Sequence, residues 1–193
     1  HALIGSCEAR CHHEGAVNTC DDVNARHGVS SDDACIALSS LSFDLSVYDI
    51  FGLLSVGGRV VLPDAAHTSP PSPSDWLRLV ASEGVSVWNS VPAFAELLVS
   101  VLEHGGKQLA PSLRLIMMSG DWISSSLPSR LLRASSCVGG LRVVSMGGAT
   151  EAAIWSNEYE LVAGEVLDAT RRTILYGRPL RNQTMLVLDE HLE

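Results

Sequence analysis

The chain lacks any apolar run of about eighteen residues, the length that a membrane-spanning helix needs, and its first residues show no signal-peptide pattern. It is also short of positive charge, since 13 Lys and Arg stand against 22 Asp and Glu and give a net charge of −9. A surface of that sign repels nucleic acid and anionic membranes. We therefore expect neither nucleic acid nor a membrane as a partner.

Cysteine is also scarce. The 5 cysteines are odd in number and irregularly spaced, which disfavours a secreted disulfide framework and fits a reducing cytoplasmic location. Some of them lie close to histidines near the N-terminus, but the order Cys-x₃-Cys-His-His matches no closed zinc pattern. We therefore expect no metal site among Cys7, Cys11, His12, His13 and Cys20.

What the chain does have is apolar content. Its 193 residues are 46% hydrophobic, enough for one sizeable core and too apolar for a disordered segment. The sequence starts at His1 instead of Met and stops at Glu193 without a tail or cap. We therefore expect one compact unit that is a piece of a longer polypeptide.

Short apolar runs alternate with segments of helical period along most of the chain. Strands are predicted at 35–38, 59–62, 85–88, 113–118 and 141–145, and helices after Asp44, near 75–82, from about 92 to 103 and near 126–134. A further helix is suggested around 15–24. Such alternation predicts an α/β fold, a mostly parallel sheet flanked by helices.

Polar residues follow several of these strands. Asp44 comes after the first, Asn89 after the third, Ser119 after the fourth and residues 147–151 after the fifth. Ligands of open α/β sheets bind outside the carboxyl ends of the strands, so a site is expected there. Asp44 can also cap a helix, which would carry Val47, Ile50, Phe51 and Leu54 on one face.

Two segments stand out as motifs, FDLSVYDIFG at 43–52 and MGGATEAAIWSN at 146–157. The first offers a carboxylate after an apolar run, and a carboxylate can hold an ammonium group. The second offers flexible backbone followed by a hydroxyl and a carboxylate, which can approach a nucleotide. Gly147-Gly148 alone would be an ordinary turn. Together, the segments resemble two core motifs of the adenylation domains of nonribosomal peptide synthetases, which belong to the AMP-forming acyl-adenylate ligase superfamily.

The resemblance implies part of the large N-terminal subdomain of an acyl-adenylate-forming enzyme, with ATP and Mg²⁺ as its nucleotide and metal. It assigns Thr150 and Glu151 to catalysis, through contact with the phosphate and coordination of Mg²⁺ respectively. The implied nucleotide-binding residues are Gly120, Asp121, Trp122, Gly147, Gly148, Ala149 and Thr150. The family's usual Tyr-Gly-Pro is replaced here by Gly-Gly-Ala, a departure that recurs in domains feeding heterocyclising modules.

The resemblance also implies the substrate pocket. In the family, a carboxylate at the position of Asp44 pairs with the α-ammonium of an amino acid, which disfavours an acyl-CoA ligase. The implied lining is Asp44, Leu45, Tyr48, Asn89, Met117, Ser119, Met146, Ile154 and Trp155. This set resembles the pocket of cysteine-activating domains of thiazoline-forming siderophore synthetases, except that Met146 replaces a more usual Leu. Cysteine is favoured, while serine and threonine stay open because apolar pockets reject near-isosteres weakly.

The resemblance covers residues 15–193 as a partial adenylation domain and leaves 1–14 unassigned. The family's phosphate loop should precede His12 but is absent from the first residues. The ribose-binding aspartate, the C-terminal subdomain and its catalytic lysine would lie beyond Glu193. The implied product is aminoacyl-AMP, with cysteinyl-AMP favoured. The implied acceptor of the amino acid is a phosphopantetheine thiol on a carrier domain, beside condensation or cyclisation domains of the same synthetase. The alternative is a truncated, non-catalytic relative that binds nucleotide or amino acid, or only packs in a larger protein.

Overall fold

The computed structural model describes residues 11–64, 71–137, 140–161 and 173–189. Its core is a seven-stranded sheet in the order β2-β1-β3-β4-β5-β6-β7. The strands are β1 (Ala34–Ile36), β2 (Arg59–Val61), β3 (Val87–Ser90), β4 (Leu115–Met118), β5 (Arg142–Gly147), β6 (Asn157–Glu160) and β7 (Arg178–Pro179). The helices are α1 (His13–His27), α2 (Leu45–Val47), α3 (Leu53–Ser55), α4 (Pro73–Ser82), α5 (Pro92–Gly105) and α6 (Leu127–Ala134).

Strands β1 to β5 form the parallel part of the sheet. This confirms the predicted α/β fold with a mostly parallel sheet flanked by helices. The chain passes from β1 to β2 on one side and then to β3 on the other side of β1. The strand order therefore reverses between β1 and β3, and such a switch point opens a crevice at the carboxyl ends of the strands.

Both faces of the sheet are covered by helices. Successive side chains of a strand point to opposite faces, so each strand contributes to both packed layers. On one face, Trp88 and Ile116 pack with Trp76 of α4 and Leu98 of α5. On the other face, the partners of the strands come from α1 and the segment around α2 and α3, and include Cys20, Val23, Leu45, Tyr48 and Leu53. Burial on both faces explains why β4 is wholly apolar and wholly buried.

The helix after Asp44 differs from its prediction. Between α2 and α3 the chain forms a π turn, Tyr48–Gly52. The buried residues of this segment are Leu45, Ser46, Tyr48, Asp49, Gly52 and Leu53. The predicted apolar face was wrong, since Phe51 and Leu54 are 61% and 54% exposed and Val47 and Ile50 are only partly buried. The wider turn changes which residues face the sheet, so a period of 3.6 residues no longer holds.

Two antiparallel strands, β6 and β7, extend the sheet beyond β5 and were not predicted. Helix α1 is tied to β6 by two contacts with the Glu158 carboxylate, from which His27 Nε2 lies 2.9 Å and Arg26 Nη1 3.1 Å. Burial alone would raise the pKa of Glu158, but His27 and Arg26 lower it below its usual range. These contacts hold α1 against the antiparallel end of the sheet.

Among the residues that the structure describes, no helix has the length and apolar character to cross a membrane. Cys11, Cys20, Cys35 and Cys137 are free thiols. Within the described ranges, no three His, Cys, Asp or Glu side chains come together as a metal site. Cys7, the first member of the cysteine and histidine group weighed above, lies outside the described residues.

Candidate active site

Two cavities lie side by side at the carboxyl ends of the parallel strands. The first, which we call the Asp44 cavity, has a volume of about 210 Å³. Its walls come from the loops that follow β1, β4 and β5, and comprise Phe43, Asp44, Leu45, Ser119, Gly120, Gly148, Ala149, Thr150, Ile154 and Trp155. Three separate strand ends thus converge on one cavity, at the edge of the sheet where the predicted site residues were expected.

The second, the Trp122 cavity, has a volume of about 300 Å³. It includes Asp121, Trp122 and Gly147, and it shares Gly120 and Gly148 with the Asp44 cavity. Trp122 is 68% exposed, so its large apolar ring is available to a ligand in this cavity. A ligand with two parts could therefore occupy both cavities and pass the shared glycines.

Asp44 lies at the N-terminus of α2 but does not cap it, since its side chain makes no capping hydrogen bond. The predicted capping role was wrong, because the Asp44 backbone is itself helical, with φ −64° and ψ −20°, where a capping residue is extended. Within the described ranges the half-buried carboxylate has no ion-pair partner. It is left available on the wall of the cavity.

The floor of the Asp44 cavity is made by Trp155 and Ser119. The indole Nε1 of Trp155 donates a hydrogen bond to Ser119 Oγ at 3.0 Å. The ring of Tyr48 packs against the Trp155 ring with centroids 5.1 Å apart, and its hydroxyl donates to Asn24 Oδ1 at 2.8 Å. Tyr48 therefore contributes bulk near the floor, while its polar group is satisfied by α1.

Of the nine residues predicted to line the pocket, Asp44, Leu45, Ser119, Ile154 and Trp155 border the Asp44 cavity. The others, Tyr48, Asn89, Met117 and Met146, are buried at 4% exposure or less and do not border it. Met146 borders the Trp122 cavity instead. The structure thus places five of the nine around the Asp44 cavity, Met146 on the neighbouring cavity and the other three in the packed interior.

Gly148 can be only glycine in this backbone. A Cβ atom there would lie 2.7 Å from Trp155 Cα and 2.9 Å from Ile154 O, both backbone atoms that cannot give way. At Gly147 a Cβ would lie 2.6 Å from Asn157 Oδ1. The Gly-Gly pair therefore permits a close approach between this segment and residues 154–157. An ordinary turn would not require two glycines.

The segment that follows the glycines carries Thr150 and Glu151 into solvent. It forms a short 3₁₀ helix, Thr150–Ala152, and both side chains are exposed. Thr19 of α1 anchors it by donating a hydrogen bond to Ala153 O at 2.9 Å. Thr150 borders the Asp44 cavity, so the hydroxyl and the adjacent carboxylate lie near its mouth.

Ala153 and Ile154 both adopt left-handed backbone conformations, with φ of 61° and 73°. This is strained for a β-branched residue and costs on the order of 1–3 kcal/mol. The strain is compensated by burial, since Ile154 is 6% and Trp155 1% exposed. The reversal of the chain brings the side chains of Ile154 and Trp155 back onto the Asp44 cavity.

Sequence reasoning missed Asp49, a carboxyl group that is fully buried behind the cavity. Burial raises its pKa to about 6, although hydrogen bonds from Asn89 and Ser39 partly counter this effect. The Cys35 thiol lies 3.9 Å from its Oδ1, and the pKa of this thiol is also raised, first by burial. A period of 3.6 residues placed Asp49 away from the predicted apolar face of the helix. Its burial is explained by the π turn.

The comparisons with known proteins show the family and the fold of the chain. The profile of the family described as AMP-binding enzyme matches residues 10–193. The match spans almost the whole sequence, so the chain belongs to the AMP-binding enzyme family. The residue roles given above stay predictions, as does a domain boundary at residue 15.

Two curated relatives are similar over most of the chain. It is 44% identical over 177 residues to pyochelin synthetase PchF of Pseudomonas aeruginosa, a match that covers 92% of this chain and 9% of PchF. It is 42% identical over 178 residues to the anguibactin system regulator of Vibrio anguillarum, covering 92% of this chain and 16% of that protein. The chain thus spans less than a fifth of the length of these relatives.

A solved structure matches both sequence and fold. The nonribosomal peptide synthetase FmoA3, in a form bound to α-methyl-L-serine-AMP, is 41% identical with a TM-score of 0.83, covering 94% of this chain and 20% of that chain. An AMPPNP-bound form of FmoA3 gives the same TM-score at 40% identity, over 92% of this chain and 18% of that chain. The expected resemblance is confirmed, and the chain corresponds to part of a nonribosomal peptide synthetase adenylation domain.

Proposed function

We propose that the chain is the substrate-selecting core of an amino-acid-adenylating enzyme. In this reaction a carboxylate oxygen of the amino acid attacks the α-phosphorus of ATP, a P–O bond forms, and pyrophosphate leaves with the electrons of the broken P–O bond. The observation that carries the proposal is the pair of cavities that share Gly120 and Gly148. One has the Asp44 carboxylate on its wall and suits an amino acid, and the other has an exposed aromatic ring beside accessible backbone and suits a nucleoside.

At the amino-acid end, Asp44 would pair with the α-ammonium group. Its carboxylate is half-buried on the cavity wall and has no ion-pair partner among the described residues. A positively charged group within about 4–6 Å of this carboxylate would be strongly attracted by its opposite charge. Fixing the ammonium there would orient the substrate carboxylate toward the shared glycines, and such orientation lowers the barrier of a bimolecular step.

At the nucleotide end, the adenine and ribose would lie in the Trp122 cavity. Gly147, Gly148 and Ala149 would follow the nucleotide, since without large side chains the backbone can come close. Asp121 borders the same cavity and could accept a hydrogen bond from the nucleoside. The α-phosphate would then lie near Gly120 and Gly148, where the two cavities meet.

The exposed pair Thr150 and Glu151 would act on the phosphates. The Thr150 hydroxyl can donate to a phosphate oxygen, and the Glu151 carboxylate fits a Mg²⁺ that is held by one protein carboxylate together with substrate phosphates and water. No cluster of three ligands is needed for that mode, and none occurs in the described part of the chain. Bound Mg²⁺ would neutralise the charge on the phosphates and on the leaving pyrophosphate.

We propose cysteine as the amino acid, with serine and threonine as the alternatives. The Asp44 cavity is small, and Ser119 Oγ lies beside the Trp155 indole on its floor. A small cavity with one hydroxyl suits a short side chain with a weakly polar end. The α-methyl-L-serine-AMP bound to FmoA3 supports a small amino acid of this kind.

The aminoacyl group would then pass to the phosphopantetheine thiol of a neighbouring carrier domain, beside condensation or cyclisation domains. The synthetase names of the relatives support this setting, as does the small share of their length that the chain spans. The free thiols of the described residues fit a reducing, cytoplasmic setting.

The test is amino-acid-dependent exchange of pyrophosphate into ATP by the complete synthetase, offered each proteinogenic amino acid. We expect exchange that is stimulated mainly by cysteine. Exchange that is stimulated mainly by serine or threonine would keep the chemistry and correct the substrate. A folded synthetase that gives no exchange with any amino acid would overturn the proposal and favour a non-catalytic relative that binds or packs without chemistry.

A further inference from the structure

A buried cluster behind the Asp44 cavity is not used by the chemistry above. Asp49 Oδ1 accepts a hydrogen bond from Asn89 Nδ2 at 2.8 Å, and its Oδ2 accepts one from the Ser39 backbone N–H at 3.3 Å. The Cys35 thiol is the third donor, at 3.9 Å from Oδ1. All three partners are neutral, so the carboxyl group is held by hydrogen bonds alone.

These contacts fix the orientation of the Asn89 amide. Its Nδ2 also donates to the Leu45 backbone carbonyl at 3.3 Å. A backbone carbonyl and an Asp49 carboxylate both accept hydrogen bonds and donate none. The side of the amide that faces them must therefore be the NH₂ group. The opposite side is Oδ1, which is buried and has no hydrogen-bond partner among the described residues.

Asn89 does not border the Asp44 cavity, but it contacts a residue of the cavity wall. Leu45, whose carbonyl accepts from Asn89, is itself a wall of the Asp44 cavity. Asn89 pairs in register with Met117, two residues before Ser119 on the cavity floor. Asn89 therefore belongs to the packed layer directly behind the wall of the Asp44 cavity.

We propose that Asp49 is a positioning residue for substrate selection, which holds the Asn89 amide so that Oδ1 accepts a hydrogen bond from the end of a short substrate side chain. This inference rests on the proposed adenylation function. The chemistry it names is a terminal hydrogen-bond donor, either a thiol or a hydroxyl. A methyl group in the same place would leave the buried oxygen unpaired and would be rejected about tenfold to a hundredfold.

The test compares cysteine, serine and 2-aminobutyrate, in which a methyl group replaces the thiol, by kcat/KM for pyrophosphate exchange with the complete synthetase. The wild type should prefer the better of cysteine and serine over 2-aminobutyrate by at least about tenfold, and the better substrate identifies the donor. Equal use of all three would overturn the proposal without any variant. No exchange with any amino acid would instead overturn the proposed function itself.

Variants then separate positioning from general damage. Asp49→Leu keeps a similar size but removes both oxygens, so the amide can turn and the donor preference should fall to about threefold or less. Asp49→Asn keeps one acceptor for Asn89 and should retain most of the preference. The control is Asp33→Asn, at a second buried carboxyl that bonds Ser86 and Arg114 away from the cavities, and it should leave the preference unchanged.

A wild-type preference that survives in Asp49→Leu would contradict the assigned role. Should that variant fail to fold, Asp49→Ala takes its place with the same expected fall in preference, and a preference that survives in it would contradict the assigned role. The KM for ATP should stay within about twofold in every folded variant, because none of these groups borders the Trp122 cavity.

Discussion

Replacing Asp44 by Asn should lower kcat/KM for the amino acid by about 30- to 150-fold. An ammonium about 4 Å from a carboxylate gains ~4 kcal/mol at an effective dielectric constant near 20. Asp44 is half-buried at an open cavity, so about 2–3 kcal/mol of that should be realised. At 1.4 kcal/mol for each tenfold, this gives the stated range. The variant keeps the size of the side chain, so the loss reports the charge.

The assay is pyrophosphate exchange with two substrates, cysteine and 3-mercaptopropionate, which is the same acid without the amino group. With cysteine, the variant should show the full loss. With the analogue, Asp44→Asn should cost nothing or even help, because the wild-type carboxylate would be covered without a partner. The difference between the two substrates isolates the interaction with the ammonium.

Asp32→Asn is the matched control, since Asp32 is exposed and precedes β1 at the opposite end of the strands. It removes the same charge and should change neither substrate's kcat/KM by more than about twofold. An equal loss with cysteine and with 3-mercaptopropionate would refute the ion-pair reasoning, and so would an Asp44→Asn enzyme of normal activity with cysteine.

Three further predictions follow from the structure. Gly148→Ala should destabilise the loop by roughly 1–3 kcal/mol and abolish most exchange, because its Cβ would lie 2.7 Å from Trp155 Cα; Asn157→Ala, which opens space at Gly147, should not rescue it in the same assay. Burial raises the pKa of Asp49 to about 6 in the folded chain, so the free energy of unfolding should fall by about 2 kcal/mol as the pH rises from 4 to 7; denaturant titration should find this fall absent from Asp49→Asn. Replacing exposed Phe51 and Leu54 by Ser should raise the soluble yield of the isolated chain severalfold without lowering its melting temperature, whereas a lower temperature would mean that they support its core.

The alternation of strands and helices could be predicted because a sheet that is buried on both faces has strands with continuous apolar sequences. Runs such as 115–118 are apolar throughout and lie between helical segments, so their type and order follow from local sequence. The carboxyl-end location of the site followed from topology alone. Strands β6 and β7 could not be found this way, because β7 is only two residues long and β6 carries the charged Glu158 and Glu160.

The walls of the site divide in a similar way. Asp44 and the Gly-Gly pair are locally conspicuous, since each interrupts an apolar pattern. Met117 and Trp155 are indistinguishable from core residues by composition, and only the resemblance to a family singled them out. The hydrogen bond from Trp155 Nε1 to Ser119 Oγ depends on a chain reversal with left-handed Ala153 and Ile154, which no local rule predicts.

The π turn has a consequence for the two carboxyl groups that flank Leu45 and Tyr48. In a regular α-helix with 3.6 residues per turn, Asp49 would lie well away from Asp44 around the axis. The wider turn instead buries Tyr48 and Asp49 together, with room for the Tyr48 ring because Gly52 has no Cβ. One short segment thus presents a half-buried carboxylate that has no ion-pair partner among the described residues, suited to a cation, and a fully buried one with three neutral donors, suited to holding an amide. Closing the π turn by deleting one residue, for example Ile50, should therefore impair both ammonium binding and side-chain selection, whereas Asp44→Asn should impair only the first.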